Sequence, residues 1–264
     1  MTYLTYLKNK NLSKNTIEVY YKNSKLWLDF LSNNKPNKRL FVKFINDYAK
    51  NHSANTVRLM YSSVLSYMKY IKNWKLYNEF QDIKLPVVQM SNKTTISLQE
   101  YNTAKERVNL NKWFDRRNWL VFSFMFFTGI RGSEIKQINK SKIINNQLEI
   151  TGKGNKTRII FIPNYLMDLL KNWRSNKINI ARNGKQLTYK QLNVIIKKVG
   201  KEIFNKSISS HSLRRSYATN LLRNNIDLKT VSKLLGHSNI NTTSRYIFLT
   251  NDEIVEKIQK LFDK

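Results

Sequence analysis

His211-Ser-Leu-Arg214, continued by Gly236-His237 and then Tyr246, is the stretch on which the reading of this chain turns. Arg214 follows His211 by three residues, His237 follows Arg214 by 23, and Tyr246 follows His237 by nine. The chain has 3 histidines in 264 residues, and His211 and His237 both stand in this series. His52, the remaining one, has no such neighbours and receives no role. Upstream, Arg131-Gly-Ser-Glu134 adds a second arginine with a carboxylate one helical turn away. Arginine stays charged, and its planar fork can bond two phosphate oxygens at once. Imidazole exchanges a proton near neutrality. Two arginines, two histidines and a tyrosine can therefore grip a tetrahedral phosphate while a phenol attacks it.

The bulk composition points to the same kind of partner. Lys and Arg number 47 against 17 acidic residues, a net charge of +30. So large an excess suggests a polyanion, nucleic acid first, with a ribosome-associated or merely soluble basic protein as the plainer reading. Hydrophobic residues make up 41%, including 13 Phe, 14 Tyr and 5 Trp, enough for one large or two modest cores. The absence of Cys excludes disulfides, cysteine nucleophiles and thiolate metal sites, and fits a reducing, cytoplasmic location. Met1-Thr-Tyr-Leu-Thr has no basic segment leading into an apolar run, so no secretory signal is expected. The longest strongly apolar stretch, Trp119–Phe127, is far shorter than the ~20 residues of a membrane span and reads as a core helix.

Outward from the motif, the pattern is mainly α with a small β-hairpin. Residues 1–82 read as a helical bundle with lysine-rich outer faces. One helix starts at Ser13-Lys-Asn-Thr16, a second segment runs Leu40–Ile45, and a third opens at Ser53. The third is expected to turn Leu59, Val64, Leu65, Tyr67, Met68 and Ile71 to one side. Residues 83–95, with Pro86 and a polar Met90–Thr95 stretch, read as a linker. Ser97-Leu-Gln-Glu100 has capping-box form and opens a second domain, 96–264. Helices are expected there near 98–109, 115–128, 164–175, 188–204, 211–224, 227–235, 241–248 and 250–262. The hairpin is Gln147–Thr151, a turn at Gly152-Lys-Gly-Asn155, and Thr157–Ile162.

Four segments in order, Thr128-Gly-Ile-Arg131-Gly-Ser-Glu134, Gly152-Lys153-Gly-Asn-Lys156-Thr-Arg158, His211-Ser-Leu-Arg214 and Leu235-Gly-His237 with Tyr246, resemble the tyrosine recombinases of the phage integrase family, the group of lambda integrase, Cre and the Xer proteins. The motif-bearing resemblance covers about residues 95–250, and the N-terminal bundle is similar to the family's SAM-like core-binding domain. It implies a two-domain clamp on duplex DNA and a function in site-specific strand exchange. Tyr246 would attack the scissile phosphate, giving a 3′-phosphotyrosine and a free 5′-hydroxyl; covalent storage of the bond permits religation without ATP. Arg131 and Arg214 would hold the nonbridging oxygens, His211 would assist proton removal from Tyr246, and His237 would hydrogen-bond the phosphate. Lys153 is the expected general acid, with Lys156 competing for that role. Glu134 would support Arg131. Arg215 stands where many relatives have His, which bears on the support of the site.

The same resemblance implies no cofactor or metal ion, and a homotetramer on DNA, or assembly with a related hetero-partner, that passes a Holliday junction; the lack of an evident N-terminal arm-binding domain favours simple sites of the Xer or Cre type. Asn55, Arg58 and Ser62, on the segment Ser53–Lys72, are candidate base readers, a solvated helix face being the alternative. The amphipathic tail Asn251–Lys264 would dock on the next protomer or pack on its own domain. Two other functions use similar equipment: a type IB topoisomerase that relaxes DNA alone, and a DNA-binding regulator that kept the fold without the activity.

Overall fold

The computed structural model describes residues 1–87, 94–152 and 154–236, and the chain divides into two compact units, Met1–Ser91 and Asn92–Lys264. In the first unit five helices follow one another: α1 (Tyr3–Asn9), α2 (Lys14–Leu31), α3 (Lys38–Lys50), α4 (Ala54–Tyr70) and α5 (Trp74–Gln81). Each begins at a polar cap. Thr2, Ser13, Asn37, Ser53 and Asn73 each accept the backbone N–H three residues on, satisfying a donor that the helix leaves open. The core joins Trp27 and Leu31 of α2 to Phe41, Phe44 and Ile45 of α3, Val57, Met60, Val64 and Met68 of α4, and Phe80 of α5. Phe41 and Phe80 stack with ring centroids 4.1 Å apart.

The buried stripe of α4 differs from the expected one. Positions 57, 60, 64 and 68, spaced by three and four, face inward, whereas Leu59 and Ile71 are exposed. The sequence gives α4 apolar residues on more than one face, and the stripe that meets α2, α3 and α5 is the one that is buried. Nearby, the Arg58 guanidinium donates to the carbonyl of Pro86 at 3.2 Å, so this candidate base reader holds the chain as it leaves the unit.

The second unit is built around α7 (Trp113–Thr128), which is buried along most of its length. Full burial of a side chain such as Phe122 or Phe124 contributes roughly 1.5–3 kcal/mol, so α7 anchors the unit. Against it pack α8 (Asn164–Lys171), α9 (Tyr189–Phe204) and α10 (Ser210–Arg223); α6 (Leu98–Lys105) lies on α9, and α11 (Leu228–Leu235) on α10. Helices α6 and α8 stop short of the expected 109 and 175, because Val108, Leu110 and Trp173 reach the core from irregular chain beyond the helix ends. The sheet is one antiparallel hairpin, β1 (Gln147–Thr151) with β2 (Thr157–Phe161), pairing Thr151 with Thr157 and Gln147 with Phe161.

Helix α7 ends at Gly129 in the left-handed conformation, φ +60°. A Cβ there would stand 2.3 Å from the ring of Tyr217 on α10, so only glycine lets the chain turn this close to α10. The turn delivers Ile130, buried, and Arg131 to the same end of the unit as the hairpin loop. A 3₁₀ turn at Ile135–Gln137 follows.

Candidate active site

Arg131, Glu134, Arg158 and Arg214 meet at the C-terminal end of α11. That end leaves backbone carbonyls without intrahelical partners, and Gly236, φ +65°, closes it. Three consecutive carbonyls accept from three different arginines. Arg158 Nε donates to Leu234 at 3.2 Å, Arg214 Nη2 to Leu235 at 2.6 Å, and Arg131 Nη2 to Gly236 at 3.2 Å. The guanidiniums also suit the partial negative charge of a helix C-terminus. Arg214 is buried, and its Nη1 donates to the Gly129 carbonyl at 2.7 Å, tying α10 to the exit of α7. His237 follows Gly236 directly in the chain.

Glu134 lies between the other two arginines, 3% exposed. Its Oε1 accepts from Arg131 Nη1 at 2.8 Å and Arg158 Nη1 at 3.1 Å. Its Oε2 accepts from the Arg131 backbone N–H at 2.8 Å and Arg158 Nη2 at 2.7 Å. A carboxylate has about four lone-pair sites, and all are used, so Glu134 orients the arginines and has no capacity left to act as a base. Burial alone would push its carboxyl up; the hydrogen bonds from Arg158 and Arg131 outweigh that and hold it at about 2. Two arginines against one glutamate, with Arg214 beside them, leave an excess of positive charge suited to an anion.

The sign of that shift gives a pH prediction. A carboxyl held below its ordinary 4.5 stabilises the fold fully above that value and loses the contribution as pH falls toward 2. The difference corresponds to on the order of 3 kcal/mol. Glu134→Gln should therefore melt lower at neutral pH and lose part of the parent's steepening between about pH 4.5 and 2, read by urea unfolding across that range. An unchanged pH slope would remove Glu134 from this role.

His211 stands in the first turn of α10, behind the cap Ser209, and is exposed. Partial desolvation, followed by the positive charges of Arg214, Arg215 and Arg131, lowers its pKa, so the imidazole is neutral near pH 7 and able to accept a proton. Arg215 is half-buried on the same helix. Lys156 is exposed and, with Arg131, Gly152, Arg158 and Gly236, lines a groove of about 890 Å³ between the hairpin and α11.

Lys153, His237 and Tyr246, with the tail Asn251–Lys264, lie outside the described residues. The flank of Lys153 is nevertheless placed. A Cβ at Gly152 would stand 3.2 Å from Glu134 Oε1 and 3.3 Å from Arg131 Nη1, so the hairpin loop begins over the arginine pair. The loop base is fixed by Gln137, whose amide donates to the Thr151 carbonyl at 2.7 Å and accepts from its N–H at 2.9 Å. Neither Gln137 nor Arg158 was expected to act in the site. Arg158 had a readable signal: with Ile160 and Ile162 it falls on the inward side of the β2 alternation, where a charge requires a partner.

Comparison with known proteins identifies the family. Residues 90–253 match the Phage integrase family, and residues 1–75 match the phage integrase N-terminal SAM-like domain. The chain is 28% identical over 280 residues to the tyrosine recombinase XerD of Staphylococcus epidermidis, covering 96% of this chain and 94% of that protein. It is 27% identical over 272 residues to the tyrosine recombinase XerA of Pyrococcus furiosus, covering 98% and 92%. Among solved structures, the fold is similar to the Tn1549 transposon integrase in complex with transposon right end DNA, at TM-score 0.77, 14% identity and full coverage of both chains. The XerH site-specific recombinase bound to palindromic difH substrate, post-cleavage, superposes at TM-score 0.73 with 22% identity, covering 95% of this chain and 81% of that one. From the motif at its C-terminal end to the helical unit at its start, this chain belongs to the phage integrase family of tyrosine recombinases.

Proposed function

We propose that the chain is a site-specific recombinase that breaks and rejoins duplex DNA through a 3′-phosphotyrosine. The convergence of Arg131, Arg158 and Arg214 on the carbonyls of Leu234, Leu235 and Gly236 carries this reading, since it gathers three fixed cations at one point. Preorganised donors of this kind are each worth on the order of 10²–10³ in rate. In the proposed step the Tyr246 oxygen attacks phosphorus as the bond to the 5′ oxygen breaks. His211 accepts the tyrosine proton, Arg131, Arg214 and His237 donate to the nonbridging oxygens, and Lys153 gives a proton to the leaving 5′ oxygen. Attack of a 5′-hydroxyl from a second duplex reverses the chemistry and joins a new strand. Two duplexes present four strands, which supports four protomers acting through a junction, in the cytoplasm. Among the described residues no helix is long and apolar enough to cross a membrane.

The test is strand exchange between two labelled duplexes bearing the recognition site, with a chelator present. Recombinant strands and a four-way junction are expected; efficient plasmid relaxation with neither would point to a topoisomerase instead.

The two hairpin lysines separate by leaving-group chemistry. Lys153→Ala should cleave ordinary DNA slowly and recover on a 5′-bridging phosphorothiolate, whose sulfur departs without an acid. Lys156→Ala should gain little from the same substrate. The reverse pattern would move the acid to Lys156.

A further inference from the structure

We infer that Tyr189 is a positioning residue for strand cleavage: its ring lies over Gly132 and its hydroxyl meets Ser210, which holds the turn carrying Arg131 against the first turn of α10, where His211 stands. This rests on the proposed recombinase function and adds to it a residue of α9, outside the attacking, clamping and proton-transferring set.

Two helix caps bring these groups together. Thr188 and Gln191 form a capping box that starts α9 at Tyr189, and Ser209 caps α10 so that it starts at Ser210. The first residues of the two helices meet, with the hydroxyls of Tyr189 and Ser210 3.1 Å apart. One turn along α9, Asn193 accepts from the Ser210 N–H at 3.4 Å and donates to the Tyr189 carbonyl at 3.1 Å. Gly132, buried, packs into the same junction. A Cβ there would stand 2.5 Å from Tyr189 Cε2, 3.1 Å from Ser210 Cβ and 3.2 Å from Ser210 Oγ. Gly132 is not among the glycines of positive φ, so space rather than backbone conformation calls for glycine at this position. The chain neighbours of these packed residues are Arg131 and His211. Arg131 is among the charges that lower the His211 pKa, so the two lie within electrostatic reach of each other. Glu134 and the Gly236 carbonyl hold the Arg131 guanidinium, and the Gly129 carbonyl holds Arg214. Tyr189 acts at a different point, on the backbone that follows Arg131 and on the residue that precedes His211. A shift of about 1 Å between two such groups typically costs on the order of 10² in rate.

The experiment compares the full chain with Tyr189→Ala, Tyr189→Phe, Gly132→Ala and the double variant Gly132→Ala/Tyr189→Ala. It reads the single-turnover rate of covalent adduct on a nicked duplex, with DNA affinity and thermal melting beside it. Tyr189 is 47% exposed, so its truncation spares the core and the variant should melt close to the parent. Tyr189→Ala should bind DNA within about threefold of the parent yet form adduct about 10–10²-fold more slowly, and Gly132→Ala should slow by a similar factor. Tyr189→Phe keeps the ring on Gly132 and loses one partly exposed hydrogen bond, so its rate should stay within about threefold of the parent. The double variant should cleave within about threefold of Tyr189→Ala, because the added methyl no longer has a ring to displace. Parent-like cleavage by Tyr189→Ala, or losses that multiply in the double variant, overturns the positioning role. So does a Tyr189→Phe as slow as Tyr189→Ala, or an affinity that falls in step with the rate, since either would make the hydroxyl a direct contact to DNA. All of these leave the recombinase function standing; absence of adduct with the parent chain overturns both.

Discussion

Tyr246→Phe is expected to abolish the covalent protein–DNA adduct while leaving affinity for duplex DNA within a few-fold of the parent. The substitution removes one oxygen, the proposed nucleophile, and keeps the ring. Of the 14 tyrosines, Tyr246 is the one set nine residues beyond His237. Affinity for duplex DNA should instead come from many lysine and arginine contacts to phosphate, which this change does not touch. A nicked duplex, in which the short cleaved strand diffuses away and traps the intermediate, shows the adduct as a slow band on a denaturing gel. An adduct that persists in Tyr246→Phe would remove Tyr246 from the nucleophile's place, and another of the tyrosines would have to be sought.

Much of the architecture was legible because local chemistry and tertiary packing agree. Ser13, Ser53 and Ser97 do cap helices, and the hairpin Gln147–Thr151 with Thr157–Phe161 pairs in the register its alternation suggests. Helices α1 and α5 are not distinguished in the sequence from the rest of the helical bundle. Within the site, Arg131 and Arg214 stand out in the sequence because each belongs to a short motif. The use made of Arg158 and Gln137 does not, because it is created by the fold. Helix α11 ends beside β2, and a strand residue 76 positions before Leu234 becomes that carbonyl's donor. Spacing along the chain carries no trace of that pairing. The inward side of β2, read together with an arginine in it, carries the one available hint.

Binding should fall by about 10³–10⁵ in affinity between 50 and 200 mM salt, if each protomer neutralises roughly 6–10 phosphates. The charge for this is spread over both units. Residues 1–91 hold 15 basic and 5 acidic residues, and residues 92–264 hold 32 and 12, so the net +30 divides as +10 and +20. Each unit has a hydrophobic cluster of its own, which gives a fragment of residues 92–264 the means to fold. That fragment keeps Arg131, Lys153, His211, Arg214, His237 and Tyr246, but should bind far more weakly than the full chain. Its affinity should also depend less steeply on salt, because the phosphates that α1–α5 would neutralise no longer contribute counterion release. Electrophoretic mobility shifts over a salt series measure both quantities. A fragment with the parent's affinity and slope would mean that residues 1–91 make no phosphate contacts. Their excess of lysine would then need a different partner, and strand exchange would have to be explained by the catalytic unit alone.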